Sequence, residues 1–344
     1  MTKHGFGIVG AGVIATTHAQ AIAALPDAHL VAVTDVRPEA ARAYADKYGC
    51  AAEPNLAALL AREDIEVVAV CVPSGLHAEV GVQAAAAGKH LVVEKPIDVT
   101  LAAADKLIDA AHAAGVALTV ISQHRFDAGL IELRRLLDDG ALGDLLLGEA
   151  KTKWYRTQEY YDSADWRGTN AFDGGALLNQ GVHYVDLLRW CMGPVAEVTA
   201  MSATSSHRME AEDTALALLR FTSGALGTIV ASTAVYPGFA QQLEITGTNG
   251  TVIIEDGEIA RIDLRTGGYG RGGDQRESAP PSAAADPALA SVASHAAQLA
   301  DLLAAIDQGR HPQVTAQSAR DALEIVNAVY ESSREGRPVL LNNP

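Results

Sequence analysis

The first third of the chain alternates short β-branched runs with helix-forming stretches, and few folds accept that rhythm. Apolar runs at 6–9, 30–34, 67–72, 90–93 and 118–121 suit strands buried on both faces. Helical stretches at 14–25, 38–48, 56–61, 77–87 and 101–114 separate them. The last shows the local logic. Thr100 can cap it, Leu101, Ala104, Leu107, Ile108 and Ala111 form one apolar face, and Gly115 can close it. Repeated strand–helix–strand units predict a doubly wound parallel sheet covered by helices, an α/β arrangement.

After Arg125 the rhythm changes. One helix spans 130–138, and strand-like segments follow at 145–155, 195–205, 214–221, 226–235, 242–246 and 252–255. With 344 residues the chain is long enough for two domains, set here at 1–124 and 125–344. In DTALALLRF, Ala215, Ala217 and Leu219 alternate with Leu216 and Leu218, so both faces of that strand are apolar. One face then packs inside the domain, and the other is expected to meet a second subunit in a homodimer or homotetramer. Residues 266–287 are rich in glycine and proline and predict a loop. A helix at 316–334, with Ala319, Ala322, Leu323, Val326, Val329 and Tyr330 as its stripe, is expected to pack back on the first domain.

The charge balance excludes some partners. With 26 basic and 42 acidic residues the formal charge is −16, which repels phosphate backbones and anionic lipid. A small anion can still be held by local arginines or helix N-termini. Cys50, Cys71 and Cys191 form no CxxC pair or disulfide framework, as in a reducing cytosol. MTKHGFGIVGAG enters a strand directly, and no apolar run reaches membrane-spanning length, so a cytoplasmic protein is expected.

GIVGAGVIA places Gly10, Gly12 and Ala15 between the first strand and first helix. The first glycine permits a tight turn, the second lets the backbone approach a pyrophosphate, and the small third residue lets helix pack on strand. The pyrophosphate would meet the helix where Val13 and Ile14 begin it, at its positive end. Asp35 closes the second strand. A carboxylate there accepts hydrogen bonds from ribose hydroxyls and repels a 2′-phosphate, which predicts NAD rather than NADP. Arg37 can cover the adenine face or meet a phosphate, and sequence alone does not choose.

Ligands of such a sheet bind outside the carboxyl ends of its strands. CVPSGLH and VVEKP therefore bring Pro73, Ser74, His77, Glu94 and Lys95 to one crevice, with Pro96 restricting the backbone beside the lysine. Gln123 and Arg125, after the last strand, are further cleft residues. In GGALLNQGVHYVDLLRW, Asn179, His183 and Asp186 stand at helical spacing on one face, while Val182, Val185, Leu188 and Trp190 pack elsewhere. His183 and Asp186 lack a third ligand, so no metal site is expected.

GIVGAGVIA, CVPSGLH, VVEKP and GGALLNQGVHYVDLL together resemble the Gfo/Idh/MocA family of NAD(P)-dependent sugar and polyol oxidoreductases, over nearly the whole chain. The resemblance implies an N-terminal Rossmann domain and a C-terminal α/β domain whose large, mostly antiparallel open sheet mediates oligomers. It also implies that Lys95 lies beside the reacting carbon, often followed by a cis peptide, and that His183 is the acid/base. An imidazole, with an unperturbed pKa of about 6.5, suits that task. Many relatives carry aspartate where this chain has Asn179, and an amide can orient the imidazole or bind a substrate oxygen. KWYRTQEYYDSADWRGTNAFDGGALLNQGVH is similar to UDP-N-acetylglucosaminuronate 3-dehydrogenases, which implies oxidation of a sugar 3-hydroxyl. Within it Tyr155, Arg156 and Tyr160 can stack a sugar and pair with a carboxylate, or pack a sheet edge. Trp166 and Arg167 can reach the cofactor, as that motif implies. An inositol or free-sugar dehydrogenase, an NAD-dependent glycosidase and a non-catalytic NAD sensor are the alternatives.

Overall fold

The computed structural model describes residues 4–265, 268–271 and 292–341. They divide into two compact units, 1–123 with 290–320 and 124–289 with 321–344.

The first unit contains β1 (His4–Val9), α1 (Val13–Ala23), β2 (Ala28–Thr34), α2 (Pro38–Tyr48), β3 (Ala51–Ala52) and α3 (Leu56–Leu60). It continues with β4 (Val67–Val70), α4 (His77–Ala86), β5 (His90–Val93), α5 (Leu101–Ala114) and β6 (Leu118–Val120). The strands form one parallel sheet in the order β3-β2-β1-β4-β5-β6. That is the Rossmann order, and it reverses between β1 and β4, the switch point at whose carboxyl ends sheets of this kind bind ligands. Phe6, Ile8, Val67, Ala69 and Val92 of the sheet pack with Ala15, Ala19 and Ile22 of α1 in one buried core. Each large side chain there contributes roughly 2 kcal/mol by leaving water. α5 starts and stops where its sequence says it should. Thr100 Oγ1 accepts from Ala103 N at 3.2 Å, and Gly115 ends it at φ 66°.

The second unit begins with α6 (Ala128–Asp138), β7 (Leu145–Lys153) and α7 (Gln158–Asp162). A π-helical turn, Ala176–Gly181, leads into α8 (Val182–Met192). Then come β8 (Val195–Ala203), β9 (Thr214–Phe221), β10 (Leu226–Ser232), β11 (Gln242–Gly247), β12 (Gly250–Glu255), β13 (Glu258–Leu264) and β14 (Gly268–Arg271). After α9 (Val292–Gln308) and α10 (Ala316–Glu335), β15 (Val339–Leu340) completes a sheet that has nine strands among the described residues. Its order is β14-β13-β12-β11-β7-β10-β9-β8-β15, antiparallel throughout except for β7 with β10. α8 packs on one face, and at Gly148 of β7 an added Cβ would lie 2.7 Å from Leu188 and Met192. The other face carries Met201, Leu216, Leu218, Leu226 and Leu147, all exposed in the single chain. β9 therefore has the two apolar faces that its alternation predicts.

The glycine- and proline-rich segment 266–287 lies outside the described residues, apart from β14. α9, to which the sequence pattern gives no element, belongs to the first unit and adds Leu299, Leu302 and Leu303 to its core. Its stripe is hard to see because Ser294, His295, Gln298 and Asp301 are buried too. Gln298 spends its amide on the end of β6, donating to Val120 O at 2.8 Å and accepting from Ser122 N at 3.0 Å. α10 is shared. Arg320 donates to Asp105 of α5 at 2.9 Å within the first unit, and Ser332 accepts from Ala200 N of β8 at 3.0 Å within the second.

Candidate active site

In the first unit the turn after β1 is built around Gly10, at φ +99°, where a Cβ would lie 2.4 Å from Cys71 O. Only glycine fits both the angle and the approach. Gly12 is the N-cap of α1, no side chain caps the helix there, and nothing stands within 4 Å of where its Cβ would be. The opening N–H groups of α1 are thus left for a ligand. Val13 is exposed beside them, and Ile14 leans on the core. Asp35, immediately after β2, accepts from Ala11 N at 2.8 Å through one oxygen and from Arg37 N at 2.9 Å through the other. Arg37 Nε sits 3.3 Å from that second oxygen, so the guanidinium folds over the carboxylate. At the far side of the sheet, buried Gln123 follows β6 with its Oε1 lacking a hydrogen-bond partner. An open helix start, an anchored acid on the second strand and an unmet acceptor past the sixth suit a dinucleotide.

Pro73 and Ser74 open a short 3-10 turn, Ser74–Leu76, after β4, and Lys95 follows β5, partly buried. The Lys95–Pro96 peptide is cis. Two neighbours expected to line the crevice turn inward instead. His77 is buried, with Nδ1 2.7 Å from Pro96 O and Nε2 2.9 Å from Val72 O, so its ring ties the ends of two strands together. Burial pushes its pKa down, against the pull of those two carbonyls. Glu94 is buried and faces His18 Nε2 at 2.8 Å, with His295 Nε2 at 3.8 Å, while its other oxygen accepts from Lys95 N at 3.2 Å. Burial works to raise its pKa, but the two imidazoles outweigh it and hold the carboxyl well below its usual range. His18, Glu94 and His295 form the one group of potential metal-binding side chains among the described residues. Hydrogen bonding within a packed core accounts for their proximity.

In the second unit, Arg125 and Asp186 form a buried two-pronged ion pair. Nε donates at 2.8 Å, Nη2 takes the other oxygen, and the guanidinium lies over the Trp190 ring at 5.5 Å. Arg125 thus serves α8 directly, and Asp186 is already neutralised. Tyr155 stacks edge-on against Tyr236, with centroids 5.2 Å apart. Arg156 lies over Trp154 at 4.8 Å and Tyr160 at 5.6 Å; Arg167 lies over Tyr160 at 4.3 Å and Trp166 at 4.6 Å. Arg167 Nη1 also donates to the Tyr160 hydroxyl at 2.7 Å, and Gln180 donates to it at 3.2 Å. The stretch that reads as aromatic and basic in sequence is one interlocked cluster.

His183 sits in the first turn of α8, partly buried. The expectation of one continuous α-helical face through Asn179, His183 and Asp186 needs correction. Residues 176–181 are π-helical, so Asn179 does not follow the 3.6-residue period that places Asp186. The π turn is gripped at its start by Glu212, whose backbone O accepts from Ala176 N at 2.9 Å and whose Oε1 accepts from Leu177 N at 2.8 Å. Asn179 donates through Nδ2 to Asp173 Oδ1.

Several site residues escape the sequence reading. His124 presents its ring edge-on to His183, with centroids 5.2 Å apart, and its Nδ1 lies 2.6 Å from Asp127. A His–x–x–Asp spacing after the last parallel strand is the available signal. Asp173 and Glu212 carry none, because their partners come from a loop, a π turn and, for Glu212, Tyr330 far along the chain.

A Rossmann sheet with this glycine turn, an acid after its second strand and a strand-end lysine defines an NAD-binding oxidoreductase. Residues 4–122 match the oxidoreductase family with an NAD-binding Rossmann fold, and 130–253 match the GFO/IDH/MocA C-terminal domain. The chain belongs to the GFO/IDH/MocA family, and its cofactor is NAD. It is 30% identical to inositol 2-dehydrogenase of Rhizobium meliloti over 341 residues, 97% of this chain and 98% of that one. Myo-inositol 2-dehydrogenase of Thermotoga maritima is 30% identical over 73% of this chain and 75% of its own. The WlbA dehydrogenase from Bordetella pertussis, solved with NADH and UDP-GlcNAcA, is 32% identical with a TM-score of 0.88, covering 100% of this chain and 99% of that one. No helix among the described residues is long and apolar enough to cross a membrane.

Proposed function

We propose that this chain is a dehydrogenase of a sugar or nucleotide-sugar hydroxyl, with the 3-hydroxyl of a UDP-N-acetylhexosaminuronate as its substrate position. The carrying observation lies in the first unit: Lys95 follows β5 on the same edge of the parallel sheet as the glycine turn after β1 and Asp35 after β2. When bound, NAD supplies a hydride acceptor. Gly10, Gly12, Val13 and Ile14 would hold its diphosphate, Asp35 its ribose hydroxyls, and Pro73, Ser74 and Gln123 its other half. His183 serves as the base that takes a proton, and Lys95 as the cation that steadies developing negative charge. Arg156 and Tyr160 shape the substrate side of the second unit. The full-length likeness to the WlbA dehydrogenase supports the nucleotide-sugar choice.

The second reading is an inositol or free-sugar dehydrogenase, favoured by the equally complete match to inositol 2-dehydrogenase. A spectrophotometric NADH assay against UDP-sugars, inositols and free aldoses separates the two. Lys95→Ala and His183→Ala should each lower kcat by about 100-fold or more with NADH affinity retained, as loss of a general base or charge stabiliser does. Wild-type turnover in both variants would end the assignment. The protein works as a homo-oligomer joined through the exposed sheet face, and its three free cysteines suit the cytosol.

A further inference from the structure

We propose that Asp173 is a positioning residue for the reaction: it fixes which end of the Asn179 amide is presented, and carries one bond away the negative charge that an aspartate at 179 would hold. The proposal rests on the reading of His183 as the base. Asp173 is buried. Its Oδ2 accepts from Gly168 N at 2.7 Å, and its Oδ1 accepts from Asn179 Nδ2. The loop that holds it is closed on Thr169 O, which accepts from Asp173 N at 3.1 Å and from Gly174 N at 2.9 Å. Asn179 is held in turn by its own backbone, donating to Gly175 O at 3.0 Å.

A carboxylate only accepts, so the nitrogen of the Asn179 amide must face Asp173 and its oxygen must face away. Asn179 then presents an acceptor, as an aspartate would, four residues before His183. The arrangement makes three substitutions behave differently. In Asp173→Asn, the new side chain keeps its oxygen on Gly168 N and turns an NH2 toward Asn179. Asn179 must flip to accept it, and now presents a donor. In Asn179→Asp, two carboxylates meet in a buried place, and one can remain only by taking a proton. In the exchanged pair, D173N with N179D, the oxygen at 173 still serves Gly168, its NH2 serves the new carboxylate, and an acceptor is again presented.

The test is turnover, its pH profile and thermal unfolding of wild type and these three variants, with the sugar found active in the panel. Each single variant should lose about 10- to 100-fold in kcat at pH 7 with KM for NAD within about twofold, the scale of a misoriented partner. The exchanged pair should recover most of that loss. The kcat of N179D relative to wild type should rise as pH falls, because protonating the carboxylate pair restores a donor between the two positions. Its melting temperature should drop more at pH 8 than at pH 5, and the exchanged pair should remove that drop. Wild-type kcat and pH profile in D173N, or an exchanged pair no better than either single variant in both turnover and melting, would overturn the inference. If melting shows the coupling while no sugar is oxidised by wild type, the reading of His183 fails instead.

Discussion

His18 Nε2 lies 2.8 Å from Glu94 Oε1 where neither side chain reaches solvent, and the other oxygen of Glu94 holds the backbone N–H of Lys95. A buried carboxylate thus connects α1 and α9 to the residue that follows β5. Because the folded pKa is held well below the ordinary glutamate value of 4.5, ionised Glu94 stabilises the native state above that value, and the contribution is lost as pH falls through the lower folded value. Glu94→Gln should cost roughly 1–3 kcal/mol at pH 7, the range for a damaged charged hydrogen bond. Thermal unfolding should show the gap between variant and wild type narrowing below pH 4.5. A gap that is flat from pH 3 to pH 8 would contradict this account.

The two glycines of the first turn should separate stability from binding. Gly10→Ala puts a methyl 2.4 Å from Cys71 O at φ +99° and should destabilise the fold by about 2 kcal/mol or more. Gly12→Ala meets nothing within 4 Å and should cost no more than about 1 kcal/mol, a helix-cap effect. It should nevertheless weaken NADH at least about tenfold, since the methyl stands where a diphosphate must approach. Melting curves beside NADH fluorescence titrations read the two effects apart.

Residues whose partners are near in sequence or set by strand order were legible. Gly10, Asp35 and Lys95 all fall at carboxyl ends of parallel strands, where the alternation of runs alone places them. The inward turn of His77 and Glu94 was not legible, because it depends on Pro96 O, His18 and on His295, some two hundred residues on. Arg125 reads as a cleft residue for the same reason: its partner Asp186 lies on a helix whose phase is reset by the π turn before it. Periodicity carries position along a regular element, and it fails where the element changes pitch.

Cofactor choice should respond to Asp35. Its carboxylate is the fixed negative group at the end of β2, and Arg37 is drawn onto it at 3.3 Å. Asp35→Ser removes the repulsion toward a 2′-phosphate and releases Arg37 to meet one. NADH should bind about tenfold more weakly and NADPH more tightly by a similar factor, about 1.4 kcal/mol each way. Titrations that leave the NADH-to-NADPH ratio unchanged would remove Asp35 from the binding role.

Glu212 grips the π turn from a buried position, and burial pushes its carboxyl up to about 7 from 4.5. The unfolded chain releases this proton near 4.5 while the folded chain holds it to about 7, so stability falls with rising pH between those values and then levels. Glu212→Gln keeps an oxygen for Leu177 N but has no proton to lose. Relative to wild type it should gain stability from pH 5 to pH 8, on the order of 2–3 kcal/mol. Chemical denaturation at the two pH values measures it, and an equal difference at both would show that Glu212 does not titrate there.

The exposed face of the second sheet gives the last test. Leu218 is 63% and Met201 77% exposed in the single chain, and Leu216, Leu226 and Leu147 extend the same patch across four strands. Polar residues frame it, including the Glu197–Arg220 pair at 3.4 Å. An apolar center inside a charged rim is how a protein interface is built, and leaving such a patch in water is costly. A second copy of the same sheet would cover leucine with leucine. Leu218→Asp would bury a carboxylate in that contact and should weaken association by about 100-fold or more, near 3 kcal/mol. The fold of each chain should be untouched, because Leu218 is largely exposed in the single chain. Sedimentation velocity at micromolar concentration should therefore show an oligomer for wild type and a smaller species for the variant, with identical circular dichroism. A monomeric wild type, or a variant that sediments as wild type does, would leave the sheet face without this role.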